Sequence, residues 1–358
     1  MTFSLQQARS LIVDLYSPNP RIYWADFLGS MFGGLALSAG VRLLGENYAP
    51  TWTLRLLQAA CFIGSILLFY RAVSFIHELA HLPHDKFRNF RIAWNVLCGI
   101  PFLIPSFLYY THLDHHRRQH FGTPQDGEYI PFARRGWWHI VGYLATIPIL
   151  PIVAVIRFAI LTPLTWLLPG FRRWVHRRAS SMVIDPSYLR PLPSPRTLQI
   201  IGWQELGCFL FCWGVVGVSL AVGRWPIAFV TQAYLTGVAI IALNSLRTLG
   251  AHRWWNDGGD LSFIDQLLDS VTVADHPWTS ELWGPVGLRY HGLHHLFPTL
   301  PYHNLAEAHR RLMANLPADS PYRQTVEPSL TTALAKLLQR SRVAGQLARE
   351  SQAAGQAA

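Results

Sequence analysis

Four apolar runs constrain this chain more than any other feature: Ile22–Leu44, Trp52–Ile76, Ile200–Val222 and Trp225–Leu246. Each is about as long as the roughly 20 residues a helix needs to cross a bilayer. Charged residues make up only 14% of the chain and hydrophobic ones 51%, where a soluble domain carries about 25% charged residues. The 14 Trp and 13 Tyr suit a protein with two membrane–water interfaces, where such rings settle. The formal charge of +10 would also fit nucleic acid. Much of the positive charge, however, lies in loops flanking apolar runs rather than on a polar domain, so an anionic lipid surface is the better reading and no nucleic-acid partner is expected.

Two further apolar stretches are interrupted by proline. Ile92–Tyr110 contains Pro101 and Pro105, and Trp138–Leu168 contains Pro148, Pro151 and Pro163. The segment 171–196 carries six Arg and one Asp, which assigns it to the cytoplasm. With a cytoplasmic N-terminus, four crossings return the chain to that side provided that both proline-broken stretches are re-entrant or interfacial. Such backbone is tolerated at depth only where protein or water covers it. Residues 1–21 are then a cytoplasmic segment without an apolar leader core, 22–316 a membrane catalytic domain, and 317–358 an extension whose Ala/Gln-rich tail from Gly345 is expected to fray. Asn304 and Glu307 resemble a capping box for a helix ending near Leu316. Cys61, Cys98, Cys208 and Cys212 lie in apolar segments and are read as buried thiols.

The chemistry is carried by histidine. Of 16 His, eight fall in three boxes: His77 and His81 (HxxxH), His112, His115 and His116 (HxxHH), and His291, His294 and His295 (HxxHH). Chance would give an HxxHH triplet about 0.03 times in such a chain, so two are not accidental. Spacings of three and four share a helix face, letting each box aim imidazoles at one point. Neutral imidazole binds transition metals, and this number of ligands suits two ions. His252, just past the last span, is the ninth candidate. Glu78, Asp114, His84 and Asp257 are candidates for orienting the ligand imidazoles, with Asp85, Asp265 and Asp275 also near in sequence. His120, His276 and His303 have weaker claims, and His139, His176 and His309 read as ordinary surface or interface histidines. His77-Glu78-Leu79-Ala80-His81 also matches the HExxH of zinc proteases, but that chemistry leaves two HxxHH boxes unexplained.

The sequences HELAH, HLDHH and HGLHH, in that order and spacing, resemble the three histidine boxes of the membrane fatty acid desaturase/hydroxylase superfamily, its bacterial desaturase-like branch in particular, over roughly residues 50–315. The resemblance implies an all-α integral membrane fold, with about four transmembrane helices in two hairpins and a cytoplasmic helical cap. It also implies two iron ions held by the box histidines and His252, O2 as co-substrate, and a fatty acid or acyl-lipid substrate. A bacterial inner-membrane location with the active site facing the cytoplasm follows. Box one has three intervening residues, where the acyl-CoA branch has four. No fused haem or iron–sulfur domain is visible, so an external ferredoxin- or cytochrome-type donor is implied. Acyl desaturation is expected first, then oxidative decarboxylation to a terminal alkene, then hydroxylation. Decarboxylation needs a carboxylate anchor, for which Arg247, Arg253 and Arg289 are the candidates. A metal-binding transporter is disfavoured because the histidines lie at helix ends rather than at the bilayer midplane.

Overall fold

The computed structural model describes residues 4–83 and 85–357, with side chains through Ala354. Among the described residues there is no strand, only two isolated bridges, His252 to Ser270 and Thr272 to Val326. The first span, Pro20–Asn47, starts where the Asn19 side chain accepts from the Arg21 amide and Pro20 supplies a preset φ. The second, Trp52–His81, starts at a Thr51 cap. The two pack as an antiparallel hairpin, and Gly34 permits the closest approach: a Cβ there would lie 2.7 Å from the Phe69 ring. At 30 residues the second span is about 45 Å long, against about 30 Å of hydrocarbon. Its last turns therefore rise out of the bilayer, and those turns carry His77 and His81.

The second hairpin pairs the third span, Pro195–Val222, closed by left-handed Gly223 (φ 68°), with the fourth, Ile227–Ala251. The stretch Ile92–Tyr110 is broken as its prolines predict. It passes through a π-turn at Asn95–Gly99 and a left-handed Leu103 (φ 56°) before a 3-10 turn at Ser106–Tyr109. Trp94 Nε1 donates to the Ala72 carbonyl at 2.8 Å, and Phe102 packs edge-on to Phe69 at 5.1 Å. The loop thus dips beside the second span and returns at Tyr109.

The stretch 138–168 is more helical than expected. Leu150–Leu167 is long and apolar enough to count as a fifth candidate span, with Pro151 and Pro163 tolerated in first turns and a π-turn between. Its contacts nonetheless lead in and back out on one side. Tyr234 OH donates to Pro148 O at 3.1 Å and Trp213 Nε1 to Ala159 O at 3.2 Å. By Met182 and Ile184 the backbone donates to Leu108 O and Gly127 O, beside box two. Arg157 and Glu205, both buried, form an ion pair that fastens this re-entrant unit to the third span. His176, read as a surface or interface histidine, is buried.

The cap is built from short helices, and both termini close onto it. Ala8, Ile12 and Leu15 join its core, and Arg311 pairs with Asp14 at 2.6 Å. The helix foreseen at Asn304 runs Leu305–Asn315, but its cap is not the reciprocal pair expected. Asn304 Nδ2 donates to Leu15 O, and Glu307 pairs with Arg310 and Arg311. The final helix, Leu330–Ala357, includes the tail from Gly345, because Ala and Gln are good helix formers. It packs on the fourth span and on Phe132–Arg134, with Leu337 buried and Ser341 Oγ donating to Arg135 O at 2.6 Å.

Candidate metal centre

Every box histidine and His252 converge, and they divide into two groups. His77, His81, His112, His116 and His294 form one; His115, His252, His291 and His295 form the other, with ligand atoms in each group within 4.8 Å of one another. The division follows helix phase. Residues four apart are offset by about 40° around the axis and residues three apart by about 60° the other way. The i,i+4 pair of each HxxHH box therefore aims at one group and the i+3 residue at the other. Box two sends His112 and His116 to the first group and His115 to the second; box three sends His291 and His295 to the second and His294 to the first.

Three carboxylates lie at ring nitrogens of ligand candidates, where a carboxylate favours the Nδ1–H tautomer. Nδ1 of His115 lies 2.8 Å from Asp126, that of His252 3.1 Å from Asp269, and that of His112 3.0 Å from Glu128. Asp126 is itself held by the amides of Gly122 and Glu128, and Asp269 by Tyr129 OH and the Trp255 amide. With Nδ1–H donated to a carboxylate, Nε2 presents a bare lone pair. Nε2 of His115 and of His252 nevertheless face each other at 3.2 Å, with His291 Nε2 2.8 Å from His252 and His295 Nε2 3.0 Å from His291. A single shared proton cannot satisfy four converging nitrogens. A cation can, and metal–nitrogen bonds of about 2.0–2.1 Å bring neighbouring ligand atoms to roughly these separations. In the first group, Nε2 of His116 lies 3.0 Å from those of both His112 and His294. Neither nitrogen of buried His77 has a hydrogen-bond partner, an orphaned arrangement that metal binding would relieve. The donor set therefore fits two ions.

Burial and the neighbouring imidazoles hold His112, His116, His291, His294 and His295 well below the ordinary imidazole value. They are neutral at pH 7, the state that binds metal. For His115 burial opposes the charge, but Asp126 overrides it and raises its pKa. The ring-orienting carboxylates were missed from sequence, and those expected there serve elsewhere. Glu78, one residue round the helix from His77, turns away: its Oε2 accepts from Tyr23 OH at 2.5 Å and the Tyr302 amide at 3.2 Å. It is not poised as a protease base. Asp114 pairs with Arg117 at 2.8 Å, 3.5 Å from His120. Asp257 is exposed, 3.7 Å from Arg134. His84 lies outside the described residues. Of the weaker candidates, His303 Nε2 accepts from the Asn19 amide and His276 stands before the helix Pro277–Trp283 without a side-chain capping bond. Of the anchors, Arg253 is engaged with Leu268 O, Gln324 O and Glu327, and Arg289 with Glu281 and Ala274 O. Arg247 is buried without an ion pair among the described residues.

Replacing Asp126 by Ala is expected to weaken metal affinity about 10- to 100-fold, read by metal retained per chain against a graded chelator. Unchanged retention would remove Asp126 from any orienting role.

The same residues carry the likeness to known proteins. Residues 50–326 match the fatty acid desaturase family. The chain is also 42% identical over 343 residues, 94% of its length and 93% of the relative's, to a ceramide hydroxylase of Caulobacter vibrioides (strain NA1000 / CB15N). No solved structure matches.

Proposed function

Since this chain belongs to the fatty acid desaturase family, we propose that it is a membrane hydroxylase that inserts one atom of O2 into a ceramide. The observation carrying this reading is the near full-length identity to a ceramide hydroxylase, which lifts hydroxylation above the desaturation expected first from the sequence. The histidine groups would hold two ions, one on His77, His81, His112, His116 and His294, the other on His115, His252, His291 and His295. Iron is inferred because imidazole suits it and the reaction is a redox one that zinc cannot perform. When bound, the ions supply reduction of O2 and the power to oxidise an unactivated C–H bond. Asp126, Glu128 and Asp269 hold the ligand Nδ1 protons, and the buried box residues keep bulk water from the oxidising centre.

The balance is one C–H bond, one O2, two electrons and two protons in; one alcohol and one water out. The electrons require an external donor, for which a ferredoxin- or cytochrome-type carrier is inferred. The basic loops support a cytoplasmic active site in a bacterial inner membrane. A second reading, acyl desaturation, is favoured by the family match itself. Decarboxylation would need a carboxylate anchor, and of the three candidates Arg253 and Arg289 are already engaged, which leaves Arg247.

The test is expression in a host that makes ceramide, with lipid mass spectrometry of wild type and His115→Ala. Hydroxylation yields ceramide one oxygen heavier in wild type alone. A lipid two hydrogens lighter would establish desaturation instead.

A further inference from the structure

Arg247 is a buried cation with no salt-bridge partner among the described residues. It lies on the fourth span, five residues before His252, and is 7% exposed. Its Nη2 donates to Asn244 Oδ1 at 3.2 Å, while its Nε has no partner. No carboxylate among the described residues pairs with it, although Arg71, Arg157, Arg253 and Arg289 each have one. An unpaired charge in a membrane segment is costly and points to function. Tyr70 and Tyr143 stand beside it. Arg247 lies within the fourth span about one and a half turns before His252, which puts it on the membrane side of that ligand.

We propose that Arg247 anchors the substrate: its unpartnered Nε–H takes the polar oxygen at the head of the lipid and so sets which carbon is oxidised. The occupant, on the reading that the substrate is a ceramide, is the amide carbonyl. Five residues of helix place Arg247 about 7.5 Å from His252 along the axis. A chain held there presents carbons near its polar end, not its middle, to the histidine groups.

The experiment uses full-length protein in membranes, as wild type, Arg247→Met and Arg247→Lys, with ceramide as the probe. Three quantities are read: metal per chain, rate against ceramide concentration, and position of the new oxygen by fragmentation. The expected result for Arg247→Met is unchanged metal, KM raised about ten- to hundredfold, and oxidation spread over neighbouring carbons. Arg247→Lys should recover part of the affinity. An unchanged KM with a single oxidised position would overturn the proposal, as would loss of metal in both variants, which would make Arg247 a support of the metal centre. If wild type leaves ceramide untouched but oxidises a free fatty acid, the ceramide reading fails. The same variants assayed on that acid then decide whether Arg247 anchors an acceptor oxygen at all.

Discussion

Replacing His252 by alanine is expected to remove one of the two metal equivalents and to abolish turnover. His252 is the one candidate ligand outside the three boxes, and its group has only three other imidazoles, His115, His291 and His295. Loss of a direct ligand should exceed the roughly 10- to 100-fold effect of losing a carboxylate behind one. It should also leave His115 and His291 facing each other without their common neighbour. His139→Ala is the matched control, because that ring only meets the Gly136 carbonyl at an exposed turn. Metal per chain and product per minute are measured together. A His252→Ala protein with full metal and full activity would take His252 out of the site.

The second large effect concerns stability. Arg157 and Glu205 are paired where neither can reach water, and Thr162, Ser180 and the Ala179 carbonyl complete the guanidinium's bonds. Removing one partner strands the other, so Arg157→Met is expected to cost about 3–5 kcal/mol. The double change Arg157→Met with Glu205→Met removes both charges and should cost much less, since an apolar pair of similar volume can replace a buried ion pair. Thermal unfolding in one detergent compares them. If the double variant melts no higher than the single one, the pair is not what fastens the re-entrant unit to the third span.

Much of this was readable from residue order. Apolar runs marked the two hairpins, proline marked where the chain turns back, and the spacing of three and four within HxxHH placed imidazoles on adjacent helix stripes. His252 was legible because the last apolar run ends just before it. The ring-orienting carboxylates were not. Asp126, Glu128 and Asp269 lie 11, 16 and 17 residues from the histidines they meet, across loops whose path no periodicity describes. Glu78 and Asp114 stood nearer in sequence, yet positions one or two residues from a ligand point to another side of the helix. Leu150–Leu167 was underestimated because its prolines fall in first turns, where a helix accepts them. The depth of His176, whose ring nitrogens have no hydrogen-bond partner, is set by packing that the local sequence does not indicate.

The most direct test of hydroxylation follows the oxygen itself. Membranes containing the protein, a reducing donor system and ceramide would be given 18O2 in unlabelled water, and the lipid products weighed by mass spectrometry. The account expects one 18O atom per hydroxylated ceramide, lost in His115→Ala. An unsaturated product without label, or a hydroxyl bearing oxygen from water, would contradict it.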